Sequence, residues 1–256
     1  MKRVVKIGGR AQGDTRLGTA LATALAAASR ASTLCVVHGG GDEVSALQRR
    51  LGLEPVFNGG RRVTSEADLE IVRMVLSGTI NKRLVAQLIG AGVRAVGISG
   101  EDASLFAARA TNAEVMGRVG GEVTVDPSII RQLTAGGFVP VVSPLARDSD
   151  SATGAGLNVN GDDAAAALAA ALGADELVLV ADVPGVLEND QLIQSVDAAG
   201  ARSLIARGVA VGGMAAKLEA ALAALRGGVG RVRIAGLDGI SDPRAGTHIA
   251  LSLSSV

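Results

Sequence analysis

Short apolar runs alternate with longer helical segments along this chain of 256 residues. Residues 34–37 and 177–181 are apolar throughout and have the length of strands, whereas residues 162–172 carry alanine and leucine at helical spacing. Strands without polar alternation are typical of a parallel sheet that helices cover on both faces. The pattern therefore predicts an α/β fold, a three-layer α/β/α sandwich with a largely parallel central sheet.

The same reasoning assigns the other regular elements. One long helix is predicted over residues 66–91, with Gly78 inside it. Residues 111–126 differ, because charged residues, glycine and valine alternate there, and this predicts a β-hairpin that is either a substrate lid or a surface decoration. The remaining predicted strands span residues 4–7, 93–98, 138–143 and 231–234, and the remaining predicted helices span residues 14–30, 42–51 and 213–225.

The overall charge of the chain is balanced. Its 25 basic residues equal its 25 acidic residues, so no global field attracts nucleic acid or an anionic membrane. Three Phe are the only aromatic residues, which disfavours a base-stacking surface. Any anion must therefore be bound by a local site, and we expect no nucleic-acid partner.

Cysteine and histidine are too scarce for a metal site or a disulfide framework. Cys35 is the only cysteine and lies in an apolar run, which favours an inert buried thiol. With His38 and His248, the only histidines, it makes no convincing zinc site, so we predict no metal ligands. The chain reaches Lys6 after one short apolar run, and charged residues interrupt its alanine-rich stretches. We therefore expect a cytoplasmic protein without a membrane span.

Three glycine-rich segments are suited to binding phosphate. They are Lys6-Ile7-Gly8-Gly9, His38-Gly39-Gly40-Gly41, and Gly212-Gly213 followed by Lys217. Glycine lets backbone N–H groups approach an anion closely, and the N-terminus of a helix adds positive potential. Two lysines could hold a transferring phosphoryl group from both sides, which favours a small-molecule kinase. His38 could be a base or a turn residue, and we interpret it as structural.

Two further segments carry polar candidates. One of Arg61 and Arg62 could bind a carboxylate through its guanidinium fork, or both could be solvated loop residues. Asp162 and Asp163 follow Asn158 at a predicted helix start, and either of them could simply stabilise that start through the helix dipole. In the functional alternative, Asn158 binds substrate and Asp162 keeps two lysines charged and positioned.

Neither standard nucleotide motif is present, since the P-loop pattern and the three-glycine dinucleotide fingerprint are both missing. The combined segments instead resemble the amino acid kinase family, and within it the kinases that phosphorylate N-acetyl-L-glutamate. The resemblance runs from Lys6 to about Gly246. It is carried by the three glycine-rich segments and by Gly60-Arg61-Arg62-Val63-Thr64, Asn81-Lys82, Asn158-Val159-Asn160-Gly161-Asp162 and Asp182-Val183-Pro184-Gly185-Val186-Leu187.

The resemblance implies a role for each matching position. Lys6 and Lys217 would stabilise the transferring phosphoryl group, and Asp162 would organise both lysines. Substrate contacts would come from Gly40, Gly41, Arg62 and Asn158, with Arg62 binding the α-carboxylate. Nucleotide contacts would come from Asp182, Val183, Pro184, Gly185, Val186 and Leu187, and from Val209, Ala210 and Val211.

The implied reaction is ATP-dependent phosphorylation of a side-chain carboxylate to an acyl phosphate in arginine biosynthesis. Such a carboxylate is already ionised at neutral pH, so no general base is required, and Mg²⁺ would travel on the ATP phosphates. Arg61 and Gly59 depart from the family pattern beside the substrate arginine, as do Val211 and Ala215-Ala216 beside Lys217. Two alternatives stay open: a kinase for a carrier-linked aminoadipate or glutamate derivative of lysine or ornithine synthesis, and a non-catalytic sensor of nucleotide or amino acid.

The resemblance also implies an organisation. A single domain over residues 1–256 would comprise an acceptor and dimerisation lobe, residues 1–175, and a nucleotide lobe, residues 176–256. The helix at residues 66–91 would form a homodimer contact. Because the chain begins almost at its first strand, without the extra N-terminal helix of arginine-inhibited hexamers, we expect a homodimer that is insensitive to arginine.

Overall fold

A computed structural model describes residues 1–8 and 15–252 of the protein. Predictions that concern Gly9 and Asp14 lie outside these residues. The strands are β1 (Lys2–Ile7), β2 (Thr33–His38), β3 (Phe57–Asn58), β4 (Arg61–Arg62), β5 (Ala95–Ser99), β6 (Phe106–Ala110), β7 (Val119–Val125), β8 (Val139–Ser143), β9 (Leu145–Asp148), β10 (Gly156–Val159), β11 (Glu176–Val180), β12 (Leu187–Glu188), β13 (Gln191–Leu192), β14 (Ser195–Val196), β15 (Arg231–Ala235) and β16 (Thr247–Ile249). The α-helices are α1 (Thr15–Ala31), α2 (Gly41–Arg50), α3 (Glu66–Arg73), α4 (Asn81–Gly90), α5 (Ala113–Met116), α6 (Ser128–Ala135), α7 (Gly161–Leu172), α8 (Ala198–Ala206) and α9 (Gly212–Arg226).

The central sheet has the strand order β14-β16-β15-β11-β1-β2-β8-β5. Its six strands from β15 to β5 pair in parallel, and the β15–β16 pair is antiparallel. The predicted largely parallel sheet is confirmed. Parallel strands end at a common edge, so the loops after β1, β2, β8 and β11 lie along the same side of the sheet.

Side chains of the central strands alternate between two apolar cores. Val4 of β1 belongs to a core with Leu168 of α7 and Leu218 of α9. Val5, the next residue, belongs to a second core with Leu25 of α1. Since successive strand residues face opposite sides of a sheet, helices cover both faces. The three-layer sandwich is therefore confirmed.

The predicted hairpin within residues 111–126 is wrong. Residues Ala113–Met116 form helix α5, and β7 pairs in antiparallel fashion with β6, which precedes the predicted hairpin. The chain turns at Asn112 and Gly117, which have φ values of 47° and 66°. Strands β6, β7, β9 and β10 close into a small barrel beside the main sheet. The alanine-rich sequence of β6 gives little strand signal, and this hid the true partner of β7.

The long helix predicted over residues 66–91 is confirmed in extent but contains an irregular segment. Ser65 caps its start, with a reciprocal capping box to Asp68. The segment Met74–Ile80, which includes Gly78, has π-helical hydrogen bonding between α3 and α4. Such segments are frequent at functional sites, because the extra residue redirects the side chains that follow. Among the described residues, no helix is long and apolar enough to cross a bilayer.

Candidate active site

A cleft with a volume of about 250 Å³ lies at the carboxyl ends of β1 and β2. Lys6 is the penultimate residue of β1, and the glycine segment Gly39–Gly41 follows β2 directly. The volume is slightly below the usual lower limit of roughly 300 Å³ for small-molecule sites, which suits a small ligand. The other polar or glycine residues of the lining are Gly8, Gly60, Arg61, Arg62, Asn158, Asn160 and Gly161.

One buried carboxylate, that of Asp162, holds two lysines, and one of them, Lys6, lines this cleft. The Nζ atom of Lys6 lies 2.9 Å from Oδ1 of Asp162. The Nζ atom of Lys217 lies 3.2 Å from Oδ2 and 3.4 Å from Oδ1 of the same carboxylate. Residues that are 211 positions apart in the chain, 6 and 217, are thus brought to one side chain. The trio carries two positive charges and one negative charge, and the surplus positive charge suits an anion.

Burial and the lysine charges act in opposite directions on the pKa of Asp162. Burial alone would raise this pKa, but the charges of Lys6 and Lys217 and their hydrogen bonds bring it below its ordinary value. The pKa of Lys217 is lowered by burial and by the charge of Lys6, while Asp162 opposes that shift. The carboxylate therefore stays ionised at neutral pH and helps to keep Lys217 protonated.

The start of α7 explains the position of Asp162. Asn160 is the N-cap residue, and its Oδ1 accepts hydrogen bonds from the backbone N–H groups of Asp162 at 2.8 Å and Asp163 at 3.3 Å. The cap directs the first turn of the helix towards the lysines. The dipole interpretation and the lysine-binding interpretation of Asp162 are therefore compatible. Asp163, the next residue, forms an ion pair with Arg61 at 2.9 Å.

Arg62 is buried and anchored by helix α2. Its Nη2 donates hydrogen bonds to Ser45 Oγ at 2.7 Å and to the Gly41 carbonyl at 2.8 Å, and its Nη1 donates to Gln48. The guanidinium also lies 4.8 Å from the ring centroid of Phe57. It is therefore not a solvated loop residue. The sequence does not predict its two supports, Ser45 and Gln48: their spacing of three residues places them on one helix face but does not show what that face meets.

Asn158 and Asn160 both border the cleft, but their side chains differ in function. Asn158 Nδ2 donates a hydrogen bond to Thr64 Oγ1 at 3.1 Å, which links β10 to the segment after Arg62. The side chain of Asn160 is used as the helix cap. Asn158 also lines the cleft.

The nine predicted nucleotide residues lie outside the cleft lining. Asp182–Leu187 follow β11 at the same edge of the sheet as Gly8, since β11 is parallel to β1. The Val186 N–H donates to Thr247 Oγ1 at 2.8 Å, which fixes the end of this loop. Val209, Ala210 and Val211 precede α9, with Val183 and Val211 exposed. Val211 is also the N-cap residue of the helix that carries Lys217.

The other titratable candidates are buried. Burial raises the pKa of the Cys35 thiol to about 12, so the thiol is un-ionised at neutral pH. His38 is fully buried, and burial lowers its pKa to about 4. Within residues 1–8 and 15–252, no three His, Cys, Asp or Glu side chains are grouped to hold a metal ion.

Comparisons with known proteins agree with this architecture. A family model described as the amino acid kinase family matches residues 1–236. Acetylglutamate kinase from Parvibaculum lavamentivorans is 41% identical over 250 residues, covering 92% of this chain and 81% of the relative. Acetylglutamate kinase from Chloroflexus aurantiacus is 42% identical over 241 residues, covering 93% of each protein. The solved structure of smu.665 from Streptococcus mutans has a TM-score of 0.87 at 29% identity and covers 98% of both chains.

The sandwich and the paired lysines at a glycine-lined cleft define a class of α/β phosphotransferases that work without a P-loop. With a family match over most of its length and relatives above 40% identity, the chain belongs to the amino acid kinase family. Membership of this family implies a kinase that uses ATP.

Proposed function

We propose that the protein phosphorylates the side-chain carboxylate of N-acetyl-L-glutamate, using ATP, to give N-acetyl-L-glutamyl 5-phosphate for arginine biosynthesis. The observation that carries the proposal is the binding of both Lys6 and Lys217 by Asp162, with Lys6 lining a cleft that also contains the glycine segment and Arg62. The relatives named acetylglutamate kinase support this substrate. The small cleft volume also favours a free amino acid derivative.

The chemistry requires positioning and charge stabilisation. A carboxylate oxygen of the acceptor attacks the γ-phosphorus of ATP, and the bond from that phosphorus to the bridging oxygen breaks as its electron pair leaves with ADP. The acceptor is already ionised, so no residue has to remove a proton. Lys6 and Lys217 offset the negative charge on the phosphoryl oxygens, and Gly40 and Gly41 offer backbone N–H donors. In this arrangement Arg62 and Asn158 hold the acceptor's α-carboxylate and acetylamino groups.

The nucleotide is assigned to the surface beside Lys217. In this proposal the loop residues Asp182–Leu187 and Val209–Val211 contact the nucleotide, and the N-terminus of α9 adds positive potential for its phosphates. Mg²⁺ would enter with the ATP phosphates and neutralise part of their charge. In this division residues 176–256 bind the nucleotide and residues 1–175 bind the acceptor, although both parts share the central sheet.

We also assign a homodimer contact to the helical segment from Glu66 to Gly90. Met74 and Ile89 are exposed apolar residues on this segment, with 54% and 57% of their surface accessible. Pairing through this segment would place the two clefts near the same interface, because α3 begins directly after Arg62 and Thr64. Sedimentation of the purified protein as a monomer would contradict this assignment.

The function is tested by ATP turnover with Mg²⁺ in the presence of hydroxylamine, which traps an acyl phosphate as a hydroxamate. N-acetyl-L-glutamate is compared with glutamate, aspartate and N-acetyl-aminoadipate. We expect hydroxamate with N-acetyl-L-glutamate alone. If none of these free acids supports turnover, a carrier-linked acid is assayed next, and turnover with it would overturn the free substrate. Nucleotide binding without turnover on any acid would identify a sensor.

A further inference from the structure

A buried chain of hydrogen bonds lies beneath the glycine segment of the cleft. Lys82 Nζ donates to Asn81 Oδ1 at 3.0 Å. Asn81 Nδ2 lies 3.1 Å from His38 Nε2 and donates to the Val141 carbonyl at 2.9 Å. His38 Nδ1 lies 3.1 Å from the Gly39 carbonyl oxygen. Both His38 and Asn81 are fully buried, and the reaction described above uses neither.

The donors in this series of hydrogen bonds determine the tautomer of His38. The Lys82 ammonium has only donors, so it requires the oxygen of the Asn81 amide on its side. The NH₂ group of Asn81 therefore faces His38, and Nε2 of the ring must accept. Burial holds the pKa of His38 near 4, so the ring is neutral at physiological pH. Its single proton consequently lies on Nδ1 and is donated to the Gly39 carbonyl.

Fixing the Gly39 carbonyl also fixes the next N–H group. A trans peptide is planar, with its C=O and N–H pointing in opposite directions. The carbonyl of Gly39 is held on the buried side by His38, so the N–H of Gly40 points the other way, towards the cleft that Gly40 lines. The Gly39 N–H is itself bonded to the Ile7 carbonyl at 2.9 Å. Within residues 1–8 and 15–252, the Gly40 N–H has no backbone acceptor.

The N–H group of Gly40 lies at the end of the cleft where Lys6 is found. A Cβ atom placed on Gly39 would lie 4.0 Å from the Lys6 Nζ atom, so this peptide and the ammonium are neighbours. An oxygen that contacts Lys6 would therefore be within reach of the same peptide segment. The series of hydrogen bonds from Lys82 to His38 thus ends at the Gly40 N–H, which is directed at the phosphoryl group in the proposed reaction rather than at a distant loop.

We propose that His38 and Asn81 are positioning residues, which orient the Gly39–Gly40 peptide so that its N–H stabilises the oxygen that becomes negatively charged during phosphoryl transfer. This inference rests on the proposed kinase function. His38 acts only through the peptide and does not touch substrate. This role requires a neutral imidazole ring with a donor at Nδ1. The requirement explains why a histidine is buried near Lys6 and Lys82.

Two neutral substitutions of His38 separate this role from simple packing. In His38→Asn the side-chain amide nitrogen can occupy the place of Nδ1 and still donate to Gly39. In His38→Gln the amide reaches the place of Nε2 and contacts Asn81 but loses the donor to Gly39. We expect the kcat of His38→Asn to stay within about 3-fold of the kcat of the unsubstituted protein. We expect His38→Gln to lose roughly 10- to 100-fold in kcat with little change in KM, near the loss caused by removing one oxyanion donor.

The outcomes are distinguishable from failure of the kinase assignment. An unsubstituted protein without turnover overturns the proposed function and the inference with it. An active protein whose two variants fold, as judged by circular dichroism, and have equal kcat overturns the inference alone. If His38→Gln does not fold, the tautomer can be read in the unsubstituted protein from long-range ¹H–¹⁵N spectra. A proton on Nε2 instead of Nδ1 would then overturn the inference.

Discussion

At the scale of single residues, the site depends on an unequal charge balance. Asp162 neutralises one of two ammonium groups, the buried one of Lys6 or the partly buried one of Lys217, and the remaining positive charge has no carboxylate of its own in the trio. Burying an unbalanced charge is costly, and an incoming phosphate removes that cost. The site is therefore electrostatically prepared for an anion before any ligand arrives.

Removal of either lysine should slow phosphoryl transfer. Lys6→Ala or Lys217→Ala is expected to reduce kcat by roughly 10²-fold or more, because each removes one charge-stabilising donor. Steady-state kinetics with N-acetyl-L-glutamate measure the effect. Lys2→Ala is the matched control, since Lys2 lies at the opposite end of β1 and is exposed. Near-normal rates in both site variants would contradict the assigned mechanism.

The pH dependence of the rate should reveal the coupling of Asp162 to Lys217. Asp162 raises the pKa of Lys217 against burial and against the charge of Lys6. In Asp162→Asn that support is lost, so the pKa of Lys217 falls and the alkaline limb of the kcat profile moves to lower pH. Rates measured from about pH 6 to 10 test the direction of this shift. Asp163→Asn, which removes only the partner of Arg61, should leave the limb in place.

At the scale of elements, the glycine segment and the π-helical segment pack against each other. A Cβ atom on Gly40 would lie 2.0 Å from Cδ1 of Ile80 and 2.8 Å from Cδ2 of Leu76. Both side chains belong to the segment Met74–Ile80, and Asn81 follows it directly. The irregular helix therefore supports the segment after β2 in two ways, through apolar contact and through the hydrogen-bond chain to His38.

Two glycine substitutions test this packing. Gly40→Ala should lower the free energy of unfolding by about 1–3 kcal/mol, because the added methyl overpacks a buried site. Gly78→Ala, within the π-helical segment, meets no atom within 4 Å and should be neutral or stabilising by up to about 1 kcal/mol. Urea denaturation of both variants measures the difference. Equal stability of the two would show that Gly40 is not in tight contact with the helix.

Elements with a strong apolar pattern were predictable, and the weakly patterned ones were not. Residues 34–37 and 177–181 correspond to β2 and β11 because these buried strands contain almost only apolar side chains. Strands β12, β13 and β14 have two residues each, too few for any period to be read. The sequence of the π-helical segment predicts an ordinary helix, because its side chains are those of a helix and only its hydrogen bonds differ.

The candidate site shows the same limit. Lys6, Asp162 and Lys217 were proposed from their segments, and the structure places them in contact. The support of Arg62 by Ser45, and the link from Lys82 to His38, join segments whose pairing no local pattern specifies. A strand end predicts where a polar group lies, but it does not predict which distant side chain meets it.

At the scale of the whole molecule, a second buried charge cluster joins the two proposed lobes. Glu176 opens β11 and is fully buried. Its carboxylate lies 2.6 Å from Arg3 Nε of β1, and 3.0 Å from the Nε atoms of Arg231 and Arg233 in β15. Arg233 also donates to the carbonyls of Gly239 and Ala245. The cluster lies where these parallel strands begin, at the edge of the sheet away from the cleft.

Substitution of Glu176 should therefore affect stability and leave catalysis intact. Glu176→Gln leaves buried guanidinium groups without a counter-charge, and we expect a loss of about 3–5 kcal/mol in the free energy of unfolding. Because Arg3 belongs to residues 1–175 and the shared sheet crosses the boundary, denaturation should remain a single transition by circular dichroism and by activity. At temperatures where the variant stays folded, kcat should be unchanged, since the cluster touches no cleft residue.

Glu188→Gln is the control for that experiment. Glu188 pairs with Arg207 at 2.6 Å, but their side chains are 34% and 53% exposed, so its loss should cost no more than about 1 kcal/mol. Two separate transitions in Glu176→Gln, with activity lost in only one of them, would mean that the lobes fold independently. A single transition shifted to lower denaturant, with unchanged kcat, would mean that the sheet shared by both lobes makes them one cooperative unit.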